Sequence, residues 1–249
     1  MMRTHSWIWM VGLGIGVAAC APAETEVEST TAVSEAPALV SEVMTQAAQE
    51  ALTPDEVFAD LKEGNRRFVE GRLTPRDYMA QAEATASGQY PKAAVLSCLD
   101  SRVPPEIIFD QGIGDLFVGR VAGNFENRDM LGSLEFATAA AGTPLIVVLG
   151  HTQCGAIKGA VAGVELGNLT SMLRDNLDEV LETVREIQAA ADPETDAVVQ
   201  AAIEENVRRT VSDILAESEV ISGLVESGEV GIVGGFYDLA TGRVTWLDI

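Results

Sequence analysis

Three short apolar runs, Ala93 to Ser97, Leu116 to Val121 and Leu145 to Leu149, have the length of strands buried in a sheet. The segments between and after them carry apolar residues at helical spacing: Met130 to Ala141, Arg174 to Ala190, and Asp196 to about Val225, the last two parted by Asp192-Pro193. Alternation of this kind predicts an α/β domain, a mainly parallel β-sheet flanked by helices. Val230 to Trp246 reads as a closing strand pair turned at Thr241-Gly242. Upstream, Thr53-Pro54-Asp55-Glu56 has the form of a capping box with proline at the first helical position, followed by a stripe of Val57, Phe58, Leu61 and Phe68. Leu39, Val40, Val43 and Met44 recur at helical spacing within Ala38 to Ala51, a further helix candidate.

The amino end obeys a different pattern. Arg3 precedes an apolar run from Trp7 to Ala19, too short to span a bilayer comfortably and shaped like a secretory signal. Val17-Ala18-Ala19-Cys20 resembles the lipobox of bacterial lipoproteins, which makes Cys20 the lipidation residue. The alternative is cleavage after Ala21-Pro22-Ala23, which would release a soluble protein. Either way the expected location is outside the cytoplasm, periplasmic or at the cell surface, and the alanine after Cys20 points to the outer membrane. From residue 21 to about residue 50 the composition of Ala, Thr, Ser, Pro and Glu is that of a flexible tether. The expected organisation is a signal at 1–19, a tether at 20–50 and one catalytic domain at 51–249.

Composition narrows the partners. Hydrophobic residues make up 47% of the 249, enough for one sizeable core. A formal charge of −22 and a pI near 4.3 argue against nucleic acid or an anionic membrane surface as a partner, leaving the lipid anchor as the expected membrane attachment.

Removal of the leader leaves one histidine, His151, and, with Cys20 assigned to anchoring, two cysteines available for chemistry, Cys98 and Cys154. All three fall at strand ends, in the motifs CLDSR and HTQC. Two thiolates and one imidazole are an established zinc set, with the fourth position left for water. The competing reading is a Cys98–Cys154 disulfide, the usual fate of two cysteines in an oxidising compartment. A simple bridge would require neither Asp100, Arg102 nor His151.

The stretch CLDSRVPPEIIFDQGIGDLFVGRVAGN followed by VVLGHTQCGAIKGAV closely resembles the β-class carbonic anhydrases, from EGNRRFVEG to the final YDLATGRVTWL. The resemblance implies one Zn2+ per chain on Cys98, His151 and Cys154, and reversible hydration of CO2 to bicarbonate and a proton by zinc-bound hydroxide. It implies a catalytic dyad of Asp100 and Arg102, in which Asp100 orients the attacking oxygen or, in an inactive state, becomes a fourth zinc ligand. Gln89, nine residues before Cys98, matches a glutamine that binds substrate in the family. A homodimer or dimer of dimers is implied too, its site partly lined by the neighbour.

Two positions depart from the pattern. Leu99 replaces a small polar residue, and an extended chain turns it away from Asp100, so a packing effect is expected. Val95 stands where some bacterial relatives have the tryptophan of a non-catalytic bicarbonate pocket; Arg120 aligns with that pocket's arginine, and the pocket is expected to be absent or altered. With no second histidine after processing, proton export falls to surface carboxylates, Tyr90, Tyr237 or buffer. The alternatives that remain are a carbon disulfide or carbonyl sulfide hydrolase of the same family, and a non-catalytic zinc- or bicarbonate-binding envelope lipoprotein.

Overall fold

The computed structural model describes residues 38–187 and 196–249. The expected signal, Cys20, the first part of the tether and the link around Asp192-Pro193 lie outside those residues. A short helix α1 (Gln46–Glu50) precedes α2 (Pro54–Val69) and α3 (Tyr78–Thr85). Then come β1 (Ala93–Ser97), α4 (Pro105–Ile108), β2 (Leu116–Arg120), α5 (Arg128–Glu135), β3 (Leu145–His151), α6 (Gly155–Val161), α7 (Gly167–Ile187), α8 (Asp196–Glu217), α9 (Glu219–Ser227), β4 (Gly231–Tyr237) and β5 (Val244–Trp246).

The strands form one sheet in the order β2-β1-β3-β4-β5, parallel except for the antiparallel β4–β5 pair. β1 and β3 are central and buried along their whole length, which is why both read as unbroken apolar runs. Parallel order brings their carboxyl ends to the same edge, where Cys98 follows Ser97 and His151 closes β3. On one face α2 and α4 pack through Val57, Leu61, Ile108 and Phe109 against Val95, Leu145 and Val147. On the other, α5, α8 and α9 pack through Leu131, Val207, Val211 and Ile221 against Leu96, Ile146 and Val148.

Local chemistry accounts for several element ends. Thr53 and Glu56 form the reciprocal capping box expected for α2. Gly64 lets α2 lie against the end of α4, since a Cβ there would sit 1.9 Å from the Phe109 carbonyl oxygen. Gly242, at φ 74°, makes the turn between β4 and β5. The helix expected over 130–141 divides into α5 and a wider π turn, Phe136–Ala140, and the one expected over 196–225 breaks at Ser218. Buried Ser218 caps α9 through Ile221 and donates to Glu135.

The amino-terminal boundary lies earlier than residue 51. Helix is confined to Gln46–Glu50 within 38–51, and the preceding segment is extended, with Val40 bridged to Arg76. Gln49 is buried and donates to the carbonyls of Pro91 and Ala141, tying this segment to the sheet. Asp110, 1% exposed, accepts from Arg67, Arg76 and Thr74 and secures the loop that follows α2. Burial alone would raise its pKa; the two guanidiniums and Thr74 outweigh that and leave it lowered.

Candidate metal centre and active site

Cys98 leaves the end of β1 in an extended turn held by the neighbouring end of β2. Val121 N–H donates to the Ser97 carbonyl, Leu99 N–H donates to the Val121 carbonyl, and Gly123 N–H points at Cys98 Sγ from 3.5 Å. His151 is the last residue of β3, and a tight turn through Gln153 at φ 59° brings in Cys154 as the residue before α6. Gly150 allows α8 to lie against this strand end: a Cβ there would stand 2.8 Å from Val207 Cγ2. Phe125, Ile157, Leu177 and Ile203 pack around the two cysteines and keep water from their inner side.

The ligand atoms of Cys98, His151 and Cys154 lie within 4.8 Å of one another, all buried, and among the described residues no other such cluster occurs. Two geometric facts test the zinc reading. First, the sulfurs are 3.9 Å apart, while thiolates ~2.3 Å from a tetrahedral zinc lie ~3.8 Å apart. A disulfide needs ~2.0 Å, and both cysteines are free. Second, His151 Nδ1 lies 2.9 Å from the Thr152 carbonyl and must donate to it. That leaves the lone pair on Nε2, which is fully buried without a partner. The residues therefore fit a zinc ion in composition, spacing and protonation.

The thiols share their proton unevenly. The hydrogen bond from Cys154 holds the Cys98 thiol down at about 4 against the effect of burial, helped by His151 and Gly123. The same contact, with burial, pushes the Cys154 thiol up. A divalent cation relieves this conflict because it lets both sulfurs be thiolates.

Asp100 and Arg102 form a closed fork. Arg102 Nε donates to Oδ1 at 2.9 Å, an Arg102 terminal nitrogen to Oδ2 at 2.7 Å, and the Arg102 backbone N–H again to Oδ1 at 2.9 Å. The Arg102 guanidinium, helped by the Arg102 backbone N–H, holds the Asp100 carboxyl well below the usual carboxylate range against the effect of burial. Oδ2 lies 3.9 Å from the unpartnered His151 Nε2, so the dyad faces the ligand cluster.

Gln89 is not brought there within one chain. It is exposed, four residues ahead of β1, at the opposite end of a strand whose five residues span ~16 Å. Leu99 corrects an expectation: it is 64% exposed beside the dyad, so it has no packing role within the chain. Val95 is buried in the sheet, and Arg120 donates to the carbonyls of Cys98 and Asp100. Tyr237 is buried, and burial pushes its phenol up, which makes it a poor proton carrier near neutral pH.

Sequence reading did not foresee the groups supporting the ligands: Thr152, Gly123, the Arg120 clamp, and Asn206, which donates to the Gly123 carbonyl. The available signal for Arg120 was a lone cation at the end of an apolar strand.

Comparison with known proteins agrees with this geometry. A family model described as Carbonic anhydrase matches residues 93–244. Carbonic anhydrase 2 of Mycobacterium tuberculosis is 40% identical over 197 residues, covering 78% of this chain and 93% of the relative. The Carbonic anhydrase of Mycolicibacterium smegmatis is 37% identical over 77% of this chain and 92% of its own length. Among solved structures, the β-carbonic anhydrase CcaA superposes with a TM-score of 0.63 at 27% identity, over 77% of this chain and 95% of that one. A strand-ordered Cys-His-Cys cluster, the Asp-Arg fork facing it and these relatives converge: the chain belongs to the β-class carbonic anhydrase family.

Proposed function

We propose that the chain works as an extracytoplasmic, lipid-anchored zinc carbonic anhydrase, in which Asp100 and Arg102 orient the reaction of CO2 with water and a second copy of the chain completes the site. The observation that carries the catalytic reading is the fork: an ionised Asp100 fixed through both oxygens and aimed at the ligand cluster.

Cys98, Cys154 and His151 Nε2 would hold zinc, which would supply the Lewis-acid chemistry that lowers the pKa of a water at the site. Asp100 accepts a hydrogen bond from that water and so sets its orientation toward the carbon of CO2. Arg102 keeps Asp100 ionised and in place. The Phe125 and Ile157 side excludes bulk water from the thiolates. Proton export is left to buffer, surface carboxylates or Tyr90, because the phenol of Tyr237 is buried.

Gln89, exposed ahead of β1 at the end of the strand away from Cys98, would act in the site of a partner copy. An uncovered apolar groove of about 420 Å3 beside edge strand β2, lined by Phe117, Met130 and 57%-exposed Phe136, is consistent with a dimer contact there. One structural relative, a β-carbonic anhydrase of Sordaria macrospora described as tetrameric, superposes with a TM-score of 0.59 at 27% identity, over 67% of this chain and 85% of that one. The lipid anchor rests on the apolar run ending at Val17-Ala18-Ala19-Cys20.

CO2 hydration followed by stopped flow from pH 6.5 to 9, with zinc measured on the same sample, tests the reading. Turnover rising with pH at about one zinc per chain is expected. Full zinc occupancy without turnover at any pH would sink it. Release of the protein from membranes by Cys20→Ala is the expected outcome for the anchor, and unchanged fractionation refutes it.

A further inference from the structure

Arg120 occupies an unusual position for an arginine in this chain. It ends β2, in parallel register with Ser97, one residue short of the first ligand. Its Nε donates to the Cys98 carbonyl at 2.9 Å, and a terminal nitrogen donates to the Asp100 carbonyl. The planar guanidinium thus bridges the two carbonyls on either side of Leu99. Leu99 itself contributes no packing, being exposed. The turn's own backbone gives little further hold: Leu99 N–H reaches Val121, and the Asp100 carbonyl is shared with the Val103 N–H.

Arg120 has no carboxylate within ion-pair distance among the described residues, although the chain carries 38 acidic residues against 16 basic ones. A part-buried arginine that is spent on two carbonyls rather than on an acid is serving the geometry of those carbonyls. The orientation of the Cys98 and Asp100 peptide groups sets where both side chains leave the backbone. One is a ligand sulfur directed inward; the other is a carboxylate directed at His151 Nε2.

We infer that Arg120 is a positioning residue for this site: its fork on the Cys98 and Asp100 carbonyls holds the ligand thiolate and the orienting carboxylate in register with each other. Arg102 restrains the Asp100 carboxylate at its tip, and Arg120 restrains the same residue at its backbone. Arg120 itself touches neither zinc nor substrate. The inference rests on the carbonic anhydrase reading for its consequence in turnover, and on the zinc site alone for its consequence in metal retention.

The test compares zinc-loaded wild-type protein with Arg120→Lys and Arg120→Gln. Lysine keeps the charge but is a point donor without a planar fork; glutamine removes the charge as well. Zinc transfer to an excess of a chromogenic chelator, kcat and KM for CO2 hydration, and Tm with and without zinc are measured on each. Loss of an outer-shell partner of this kind costs about tenfold to a hundredfold in metal retention or activity. Both variants are therefore expected to release zinc at least about tenfold faster and to lose about tenfold or more in kcat, with KM changed less than about threefold. The rise in Tm on zinc binding should shrink, while the Tm of the stripped protein stays within about 2 °C of wild type.

If stripped and loaded forms lose Tm equally, and zinc release and kcat match wild type, the residue is only a packing element and the inference is overturned. Should Arg120→Gln fail to fold, Arg120→Lys decides, because it retains the charge and most of the side-chain volume. A zinc-loaded wild type that does not hydrate CO2 would count against the enzymatic reading alone, since the zinc-release comparison still judges Arg120.

Discussion

Replacing Asp100 with asparagine separates the catalytic role of the dyad from any structural one. Three donors converge on the Asp100 carboxylate: Arg102 Nε and backbone N–H on Oδ1, and an Arg102 terminal nitrogen on Oδ2. An asparagine has one acceptor oxygen, which the two donors at Oδ1 will claim. Its amide nitrogen then takes the Oδ2 place, facing both the guanidinium and the direction of His151 Nε2. The group that accepts from the attacking water becomes a donor, and the charge held by Arg102 is gone.

Loss of one preorganised polar contact to the reacting atoms costs about 10²–10³ in kcat, roughly 3–4 kcal/mol of barrier. Stability should respond far less. Arg102 is 57% exposed, and exposed pairs contribute little, so Tm is expected to fall by no more than about 4 °C. The ligands are untouched, so zinc content should remain at about one per chain. Stopped-flow CO2 hydration, metal analysis and thermal unfolding on one preparation give all three values. A kcat within about threefold of wild type at full zinc would refute the orienting role. A fall in kcat matched by zinc loss would also refute it, because Asp100 would then act through the metal site's integrity.

Arg102 further implies a pH limit. A carboxyl whose folded pKa is depressed stabilises the fold above its unfolded value and loses that contribution only as pH falls through the folded value. For Asp100 that window lies in strong acid, so Asp100 stays ionised from pH 6.5 to 8, and a change in activity across that range belongs to another group.

Asp110→Asn should lower stability by about 3 kcal/mol, because it leaves Arg67 and Arg76 around a buried neutral group; Tm should drop by about 6–12 °C, and a change under about 2 °C would count against the network. Glu126 is pushed up to about 7, chiefly by burial and then by the charges of Asp213 and Glu217, against the pull of its backbone hydrogen bond. The folded state therefore binds the extra proton between the ordinary carboxylate value and about 7, and stability falls as pH rises through that window. Glu126→Gln should be about 1–2 kcal/mol more stable than wild type at pH 8, after allowance for solvent screening, and level with it near pH 4; an equal difference at both values would refute the assignment. Thiol titration of denatured, chelator-treated protein spanning residues 38–249 should find two reactive groups per chain, where a bridge would give none.

The legible part of the fold was the part dictated by local patterning. β1 and β3 are covered on both faces, so every position is apolar and the strands show as unbroken runs. Thr53 and Glu56 satisfy one another within a single turn, so the start of α2 can be read from four residues. Short or weakly patterned elements were not legible. α6 opens with glycine and lacks a side-chain cap, and α3 has almost no apolar face; α7 starts at Gly167 rather than at Arg174, although Leu169, Met172 and Leu173 already carry its apolar stripe. The break at Ser218 interrupts an otherwise continuous pattern because Glu135, far away in the chain, accepts from its hydroxyl.

The sequence by itself determined the ligand types and the dyad, because two cysteines, one histidine and an Asp-x-Arg pair carry their chemistry wherever they are placed. Tertiary structure decided which of these groups meet. Parallel register of β1 and β3 brings residues 53 positions apart to a common edge, a relation no local pattern contains. The same register sends Gln89 to the far edge, and the neighbouring strand β2 delivers Arg120 to the carbonyls of Cys98 and Asp100. Side-chain chemistry is a property of the residue; distance across a sheet is a property of the hydrogen-bonded strand order, and only folding sets it.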